Sequence, residues 1–506
     1  RSPWLFTLTV AWGVLVFWLA PHPPMTDLPQ HAAQVALLRD LLLGQSPWAA
    51  FFQINWFTPY LIGYGLALPL AMIMPVATAL KLVLSLAYIA FVCLCVKLRK
   101  HFGADARLDW LFLLSFFGFA YTWGFFTFLV AAPIGLWFIL VADRYAQMSS
   151  PLRAIGITLL GLALLASHGL MFLLAVGTGF VLLTAHARKL GTWLMALWPY
   201  VILGLACLAY FLASREINSG LHLDNSLTSS IMWASGPLRI PKALLYSLAA
   251  NAQGISVLLP LCSVVVMAAA PWLLGLRIDW QHKSSWLPLA VVVAIMLLVP
   301  TYAFKTQFLY QRFALFLLPS YAWAFTRQAN PALPTTISRR LAPLALPLLV
   351  LACWAMLGLH SVRTWRFGNE SADFGSLMAA VTPQQRALAL VFDRDSAADN
   401  NIKIYTHYPA WYQAEQQGLI DFNFAWFPPQ IVRYRPDHLP KVLPGFEWHP
   451  ERFDWTEHGG DNYRYFFVRP SPDMPKDLFE GSPCPPHLLL KRGSWLVYER
   501  SSCPQP

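Results

Sequence analysis

The sequence predicts a polytopic α-helical membrane protein of about 11 crossings, followed by a C-terminal α/β domain on the outer face of the membrane. Three observations predict it. Of the 506 residues, 57% are hydrophobic and 12% charged, about half the charged share of an average soluble protein. Mean hydropathy is +0.49, more apolar surface than a water-soluble domain can hide, so lipid is the solvent for much of the chain. Apolar runs of roughly 16–22 residues, enough to span a bilayer core, also recur up to about residue 361 and then stop.

The runs are 4–20, 61–75, 77–96, 108–121, 122–142, 154–168, 170–185, 192–212, 254–276, 286–303, 308–326 and 341–361. Trp4–Ala20 is followed by no small-x-small cleavage site and reads as an uncleaved signal-anchor helix. Basic clusters orient the remainder: Lys97, Arg99, Lys100 and Arg107; Arg144 and Arg153; Arg188 and Lys189; Arg277 and Lys283; Arg327, Arg339 and Arg340. All five fall on the cytoplasmic side only if one early run does not cross. The run 61–75 is short, contains Gly63, Gly65, Pro69 and Pro75, and has no basic flank. It reads as a re-entrant or interfacial helix inside a long outer segment, 21–76. A twelve-crossing arrangement would put the Lys97 cluster outside.

The division at Val362 is also one of charge. Up to Val362 there are 21 Lys and Arg against 8 Asp and Glu; from Arg363 onward there are 15 against 17. The net +11 thus belongs to the membrane part, where it reports cytoplasmic loops and anionic lipid, not nucleic acid. The expected domains are 1–362 and 363–506. In the second, Leu388–Phe392, Lys403–Thr406 and Tyr463–Val468 read as strands and Trp411–Gln417 as a helix. Of seven cysteines, only Cys484 and Cys503 lie in this polar part, an isolated pair that suggests one disulfide or else two free thiols.

Carboxylates are scarce enough in the membrane part to enumerate. Asp105, Asp109, Asp143 and Asp279 fall in or beside cytoplasmic loops, which leaves Asp27, Asp40, Glu216 and Asp224 outside. Asp27 stands about seven residues beyond the first crossing, in Thr26-Asp27-Leu28-Pro29-Gln30-His31, just before an apolar-faced helix from Gln30 to Leu43. It is either that helix's N-cap or a general base at the bilayer surface, with His31 four residues on and on the same face.

Lys305, Gln311 and Arg312 lie between two crossings. The two cations either snorkel to lipid phosphate or hold a lipid-linked phosphate, as a point charge and a fork donor can. His168 interrupts an apolar run at the same depth, as a hydrogen-bonded structural residue or a donor-site residue. Tyr121-Thr122-Trp123-Gly124-Phe125-Phe126 is an aromatic belt or a sugar-stacking surface. His407, His438, His449 and His458 read as surface or substrate contacts. No phosphate-binding glycine loop, dinucleotide fingerprint or zinc-spaced cysteine pair occurs.

With these residues in view, the chain resembles the GT-C superfamily of integral-membrane glycosyltransferases, which use polyprenyl-phosphate sugars. Asp27 matches the acidic residue that follows the first crossing in that superfamily, and 21–76 matches its first outer loop with interfacial helices. Asp27 with His31, Trp123-Gly124-Phe125, and Arg312-Phe313 followed by Pro319 match a bacterial subgroup. A second acidic residue that many members carry in a later outer loop has no counterpart near Tyr121–Trp123, so metal-independent transfer is expected.

The resemblance implies a bacterial inner-membrane enzyme with its C-terminal domain in the periplasm. Asp27 would be the catalytic base, Lys305, Arg312 and His168 would bind the donor phosphate, and Gln30, His31, Tyr121 and Trp123 would contact substrate. It implies no cofactor beyond the lipid-linked sugar donor, inversion at the anomeric carbon, and a glycan, lipid or protein acceptor. The competing classes are a lipid-linked glycan transporter or flippase and an O-antigen polymerase or ligase. A transporter would carry inverted repeats, and none is visible.

Overall fold

In the computed structural model, residues 3–217, 231–234, 236–249, 257–303, 306–326, 336–399 and 403–500 are described. The structure is mostly helical, with a small sheet domain. The chain divides into two compact units, residues 1–17 with 84–362, and residues 18–83 with 363–506.

The first unit is a bundle of apolar helices. Over the whole chain, four described helices are long and apolar enough to cross a membrane: Val76–His101, Phe126–Gln147, Gly169–His186 and Ala342–Met378. A fifth forms if Leu190–Ala196 and Trp198–Ser214, bent by 46°, count as one span. Shorter apolar helices include Trp4–Val16, Pro151–Leu165, Leu258–Leu273 and Lys283–Leu298.

Two runs expected as single crossings are broken. Residues 106–123 form a 3-10 turn, Ala106–Trp110, and two short helices, Leu111–Ser115 and Phe119–Trp123. Gly118 lies so close to the backbone of Tyr246 and Ser247 that a Cβ would collide with both, and Gly124 closes the second helix with φ +81°, which glycine adopts without strain. Likewise 308–326 forms a 3-10 segment, Gln311–Phe316, then a short helix, Leu317–Trp323.

Three carboxylates among the described residues of this unit serve structure. Asp109 takes a bidentate bond from Arg99 at 2.9 and 3.1 Å. Asp105 accepts the Arg107 backbone N–H and guanidinium. Asp143 is fully buried and ties three helices through His101 Nε2 at 2.7 Å and Ser284 Oγ at 2.5 Å. Buried carboxylates partnered in this way hold helix ends together.

The second unit combines the first inter-helix segment with the C-terminal residues. Its sheet runs in the order His487–Arg492, Trp495–Glu499, Tyr465–Arg469, Arg386–Val391, Leu419–Ile420. Arg386–Val391, fourth in this order, is parallel to both neighbours, while Trp495–Glu499 is antiparallel to both of its own. Trp411, Tyr412, Phe467 and Trp495 are buried in its core. The expected strand at Lys403–Thr406 is instead a 3-10 turn, Ile404–His407, in which Ile404, Tyr405, Thr406 and His407 are all buried; a strand would have set Ile404 and Thr406 on the face opposite Tyr405 and His407. The first segment contributes the strand Phe52–Ile54, antiparallel to Val432–Tyr434, and the helix Leu28–Leu42, which packs on Ala410–Gln416. Asp40 is held there by Arg39 at 2.8 Å and Gln417 at 3.0 Å. Cys484 is disulfide-bonded; Cys503 lies outside the described residues.

Candidate active site

Asp27 occupies the N-cap position of Leu28–Leu42 without capping it. Its backbone is helical (φ −92°, ψ −7°), and its side chain makes no cap hydrogen bond. A capping residue adopts the extended region, which aims its oxygen at the next turn's N–H groups; Asp27 is turned away. Pro29 in the first turn leaves one fewer amide to satisfy. The carboxylate faces His407, Oδ1 to Nε2 3.5 Å, with both side chains mostly buried. His407, expected as a surface or substrate contact, is 7% exposed, and burial pushes its imidazole down to about 3.

The helix face beyond Asp27 is polar but enclosed. The Phe424 backbone N–H donates to Gln30 Oε1 at 3.0 Å, and Gln30 Nε2 lies 3.4 Å from His407 Nδ1 and 3.5 Å from the Phe422 carbonyl. His31 Nδ1 is 2.7 Å from the Tyr64 hydroxyl, which donates to Gln430 Oε1 at 2.7 Å. The Val432 N–H donates to Gln34 Oε1 at 2.9 Å. Burial, with Tyr60 and Asp27 close by, pushes the Tyr64 phenol well above its ordinary range. Gln30, His31 and Gln34 each bury a polar group in a hydrogen bond to a distant segment, as a low-dielectric interior requires.

The first unit gathers a second set. Arg312 donates to the carbonyls of Gln307 at 2.9 Å and Phe308 at 3.3 Å, and its guanidinium lies 3.8 Å from the centre of the Phe125 ring. Trp123 stacks on Phe308 at 4.4 Å. Phe308 has φ +57°, an unusual conformation for an aromatic residue. The Trp123 indole nitrogen is buried with no hydrogen-bond partner among the described residues. His168 is the N-cap of Gly169–His186, its Nδ1 accepting the Leu170 N–H at 3.3 Å, and its ring meets Phe128, which in turn meets Phe313. Tyr121 packs on Phe17, Phe117 and His360, away from the Arg312 ring contacts. Lys305 lies outside the described residues.

The structure therefore brings Asp27, Gln30 and His31 onto one helix turn, and Arg312 and Trp123 onto one aromatic cluster joined to His168 through Phe128 and Phe313. It adds Tyr64, Gln34 and Gln430, which no local pattern marked, and brings in His407, which read as a surface or substrate contact. The signal for His407 was its setting, Tyr405-Thr406-His407-Tyr408, too aromatic for a solvated loop. Among the described residues no three His, Cys, Asp or Glu side chains are grouped as a metal would need.

No protein-family model matches the sequence, and no curated protein does. Among solved structures, ArnT from Cupriavidus metallidurans, bound to undecaprenyl phosphate, aligns over 100% of this chain and 100% of its own, with a TM-score of 0.56 and 11% identity. The arabinofuranosyltransferase AftD from Mycobacteria aligns over 99% of this chain at 14% identity and a TM-score of 0.49, and this chain spans 41% of AftD's length. At 11% identity the likeness to ArnT is one of fold.

Proposed function

We propose that the protein is an inverting glycosyltransferase that moves a sugar from a polyprenyl-phosphate donor to an acceptor hydroxyl. One observation carries this reading: Asp27 stands at a helix N-terminus without capping it, its mostly buried carboxylate facing His407. In the proposed reaction Asp27 takes the acceptor hydroxyl proton. The acceptor oxygen forms a bond to the anomeric carbon from the face opposite the phosphate, and the bond from that carbon to the phosphate oxygen breaks. The electron pair leaves on polyprenyl phosphate, and the configuration inverts.

Lys305, Arg312 and His168 stabilise the departing phosphate, with the unpartnered Trp123 N–H as a further donor beside Arg312. Tyr121 and Trp123 contact the sugar, and Gln30 and His31 shape the acceptor side. Transfer needs no divalent metal. The chain crosses the bacterial inner membrane about 11 times, with residues 363–506 in the periplasm choosing the acceptor and a Cys484–Cys503 bridge closing the C-terminal end. The acceptor is a cell-envelope glycan, lipid or surface protein. Resemblance to ArnT, whose structure holds undecaprenyl phosphate, supports the donor class.

The test is transfer of radiolabelled sugar from a panel of undecaprenyl-phosphate sugars by the purified full chain. Wild type turns over at least one donor, and Asp27→Asn lowers turnover by about 10²–10⁴-fold, the usual share of a general base. Full turnover by Asp27→Asn removes Asp27 as base. No turnover with any donor, alongside movement of a lipid-linked glycan in proteoliposomes, replaces the transferase with a transporter.

A further inference from the structure

We propose that His407 is a positioning residue for Asp27, holding its carboxylate through a ring N–H whose place is set by Gln30. The proposal rests on Asp27 being the acceptor's base, as read above.

The assignment follows a chain of donors and acceptors. The Phe424 backbone N–H can only donate, so the Gln30 atom it meets at 3.0 Å is the carbonyl oxygen. That fixes the flip of the amide, and its nitrogen points at His407 Nδ1, 3.4 Å away, and at the Phe422 carbonyl. An amide nitrogen cannot accept, so Nδ1 is the acceptor and the ring proton sits on Nε2. Nε2 is the nitrogen 3.5 Å from Asp27 Oδ1, a separation that tightens readily in a substrate complex. The ring cannot turn away, because Phe422 stacks on it at 5.8 Å and Phe424 meets it at 6.1 Å.

The effect is orientation without an added charge. An imidazolium beside the carboxylate would weaken it as a base, whereas a neutral N–H steers one oxygen and leaves the group basic. Burial keeps the ring neutral over the working range. Within this unit the other titratable groups near the pair are His31, Tyr60, Tyr64 and Glu447. Tyr64 stays protonated because it is buried. Glu447 lines a small pocket with Gln30 and His407 and is pushed up to about 7 by burial, so it titrates near neutrality and needs its own control.

The experiment follows the Asp27 carboxyl directly by pH-difference infrared spectroscopy of the full chain in detergent. Its C=O band is the one lost in Asp27→Asn. In His407→Leu that band appears at a pH about one unit higher than in wild type, the effect of one lost hydrogen bond to a carboxylate. In His407→Gln, whose amide still donates, it stays close to wild type, and Glu447→Gln leaves it in place. In the transfer assay His407→Leu lowers kcat by about tenfold to a hundredfold at unchanged donor KM, and the acid limb of its pH profile moves up. Identical Asp27 titrations in wild type and His407→Leu, with Asp27→Asn inactive, overturn the positioning role alone. A fully active Asp27→Asn overturns the base, and with it the catalytic meaning of the contact.

Discussion

Asp27 and Arg312 are both polar groups in largely apolar surroundings, yet they are held in opposite ways. Around Asp27 the support comes from far along the chain: His407, Phe422, Phe424, Gln430 and Val432 all bear on the helix turns that follow it or on Tyr64. Around Arg312 the hydrogen bonds among the described residues include two local ones, to the carbonyls of Phe308 and Gln307 four and five residues back, and the Phe125 ring lies against its face. A base must be aimed to within a fraction of an ångström, and long-range bonds in a packed domain do that. A phosphate ligand needs charge and reach more than a single rotamer, and a guanidinium resting on backbone oxygens can leave them at little cost.

The contrast breaks most visibly at Asp421. It is fully buried, takes a bidentate bond from Arg386 at 2.7 Å through both oxygens, and accepts the Tyr463 hydroxyl at 2.7 Å. It also immediately precedes Phe422, whose carbonyl faces Gln30. Asp421→Asn strands the guanidinium and lowers the stability of this unit by about 3–5 kcal/mol. Tryptophan fluorescence during thermal unfolding in detergent reads the loss. An unchanged midpoint would show that the support of Asp27 does not depend on this pair.

A smaller effect is expected at Arg312. Arg312→Ala lowers donor turnover by about 10- to 100-fold, the worth of a charge-assisted contact, with a smaller change in thermal midpoint than Asp421→Asn. Arg312→Lys recovers part of the loss by keeping the charge without the fork. A midpoint that falls as far in Arg312→Ala as in Asp421→Asn would make Arg312 structural and erase the contrast.

The smallest effect is in pH dependence, and it sharpens the picture of the Asp27 side. His407 stays neutral in the folded state down to about 3, while in the unfolded chain it protonates below about 6.5. The unfolded state therefore binds more protons between those values, and stability falls as pH drops from 6.5 toward 3. Glu447 behaves conversely. Its folded carboxyl is held up to about 7 against an ordinary 4.5, so the unfolded state loses its proton first, and stability falls as pH rises from 4.5 to 7. The thermal midpoint of His407→Gln is less sensitive to acid than wild type, and that of Glu447→Gln is less sensitive to the rise through neutrality. Equal slopes in all three proteins would mean that neither group is buried as described.

Much of the architecture was legible because it is written in local composition. Apolar runs 122–142 and 170–185 largely coincide with the helices Phe126–Gln147 and Gly169–His186, the strand-like stretches Leu388–Phe392 and Tyr463–Val468 overlap Arg386–Val391 and Tyr465–Arg469, and the expected helix Trp411–Gln417 overlaps Ala410–Gln416. The misreadings share one cause. Residues 108–121 and 308–326 are apolar enough to span a membrane, but the first is broken at Gly118, which packs against the backbone of Tyr246 and Ser247, and the second opens as a 3-10 segment, Gln311–Phe316. Such breaks depend on what the chain packs against, and a hydropathy window does not see it. Lys403–Thr406 has strand-like residues, yet it forms a turn in which four consecutive side chains, Ile404 to His407, are buried at once.

At the candidate site the same line divides what each level decides. Scarcity of charge singled out Asp27, because a carboxylate in an apolar chain is costly enough to be rare, and Pro29 with Gln30 located the helix it begins. The sequence alone thereby determined a membrane chain of helices, a C-terminal α/β region, and one acidic residue just beyond the first helix. Only the tertiary structure decided that Asp27 does not cap that helix, that Gln30 is an amide locked by Phe424, and that His407, 380 positions later, faces the carboxylate. Composition and periodicity act within a few residues of one another. A tautomer or a carboxylate's direction is fixed by whichever distant groups share its cavity, and those meet only when the chain has folded.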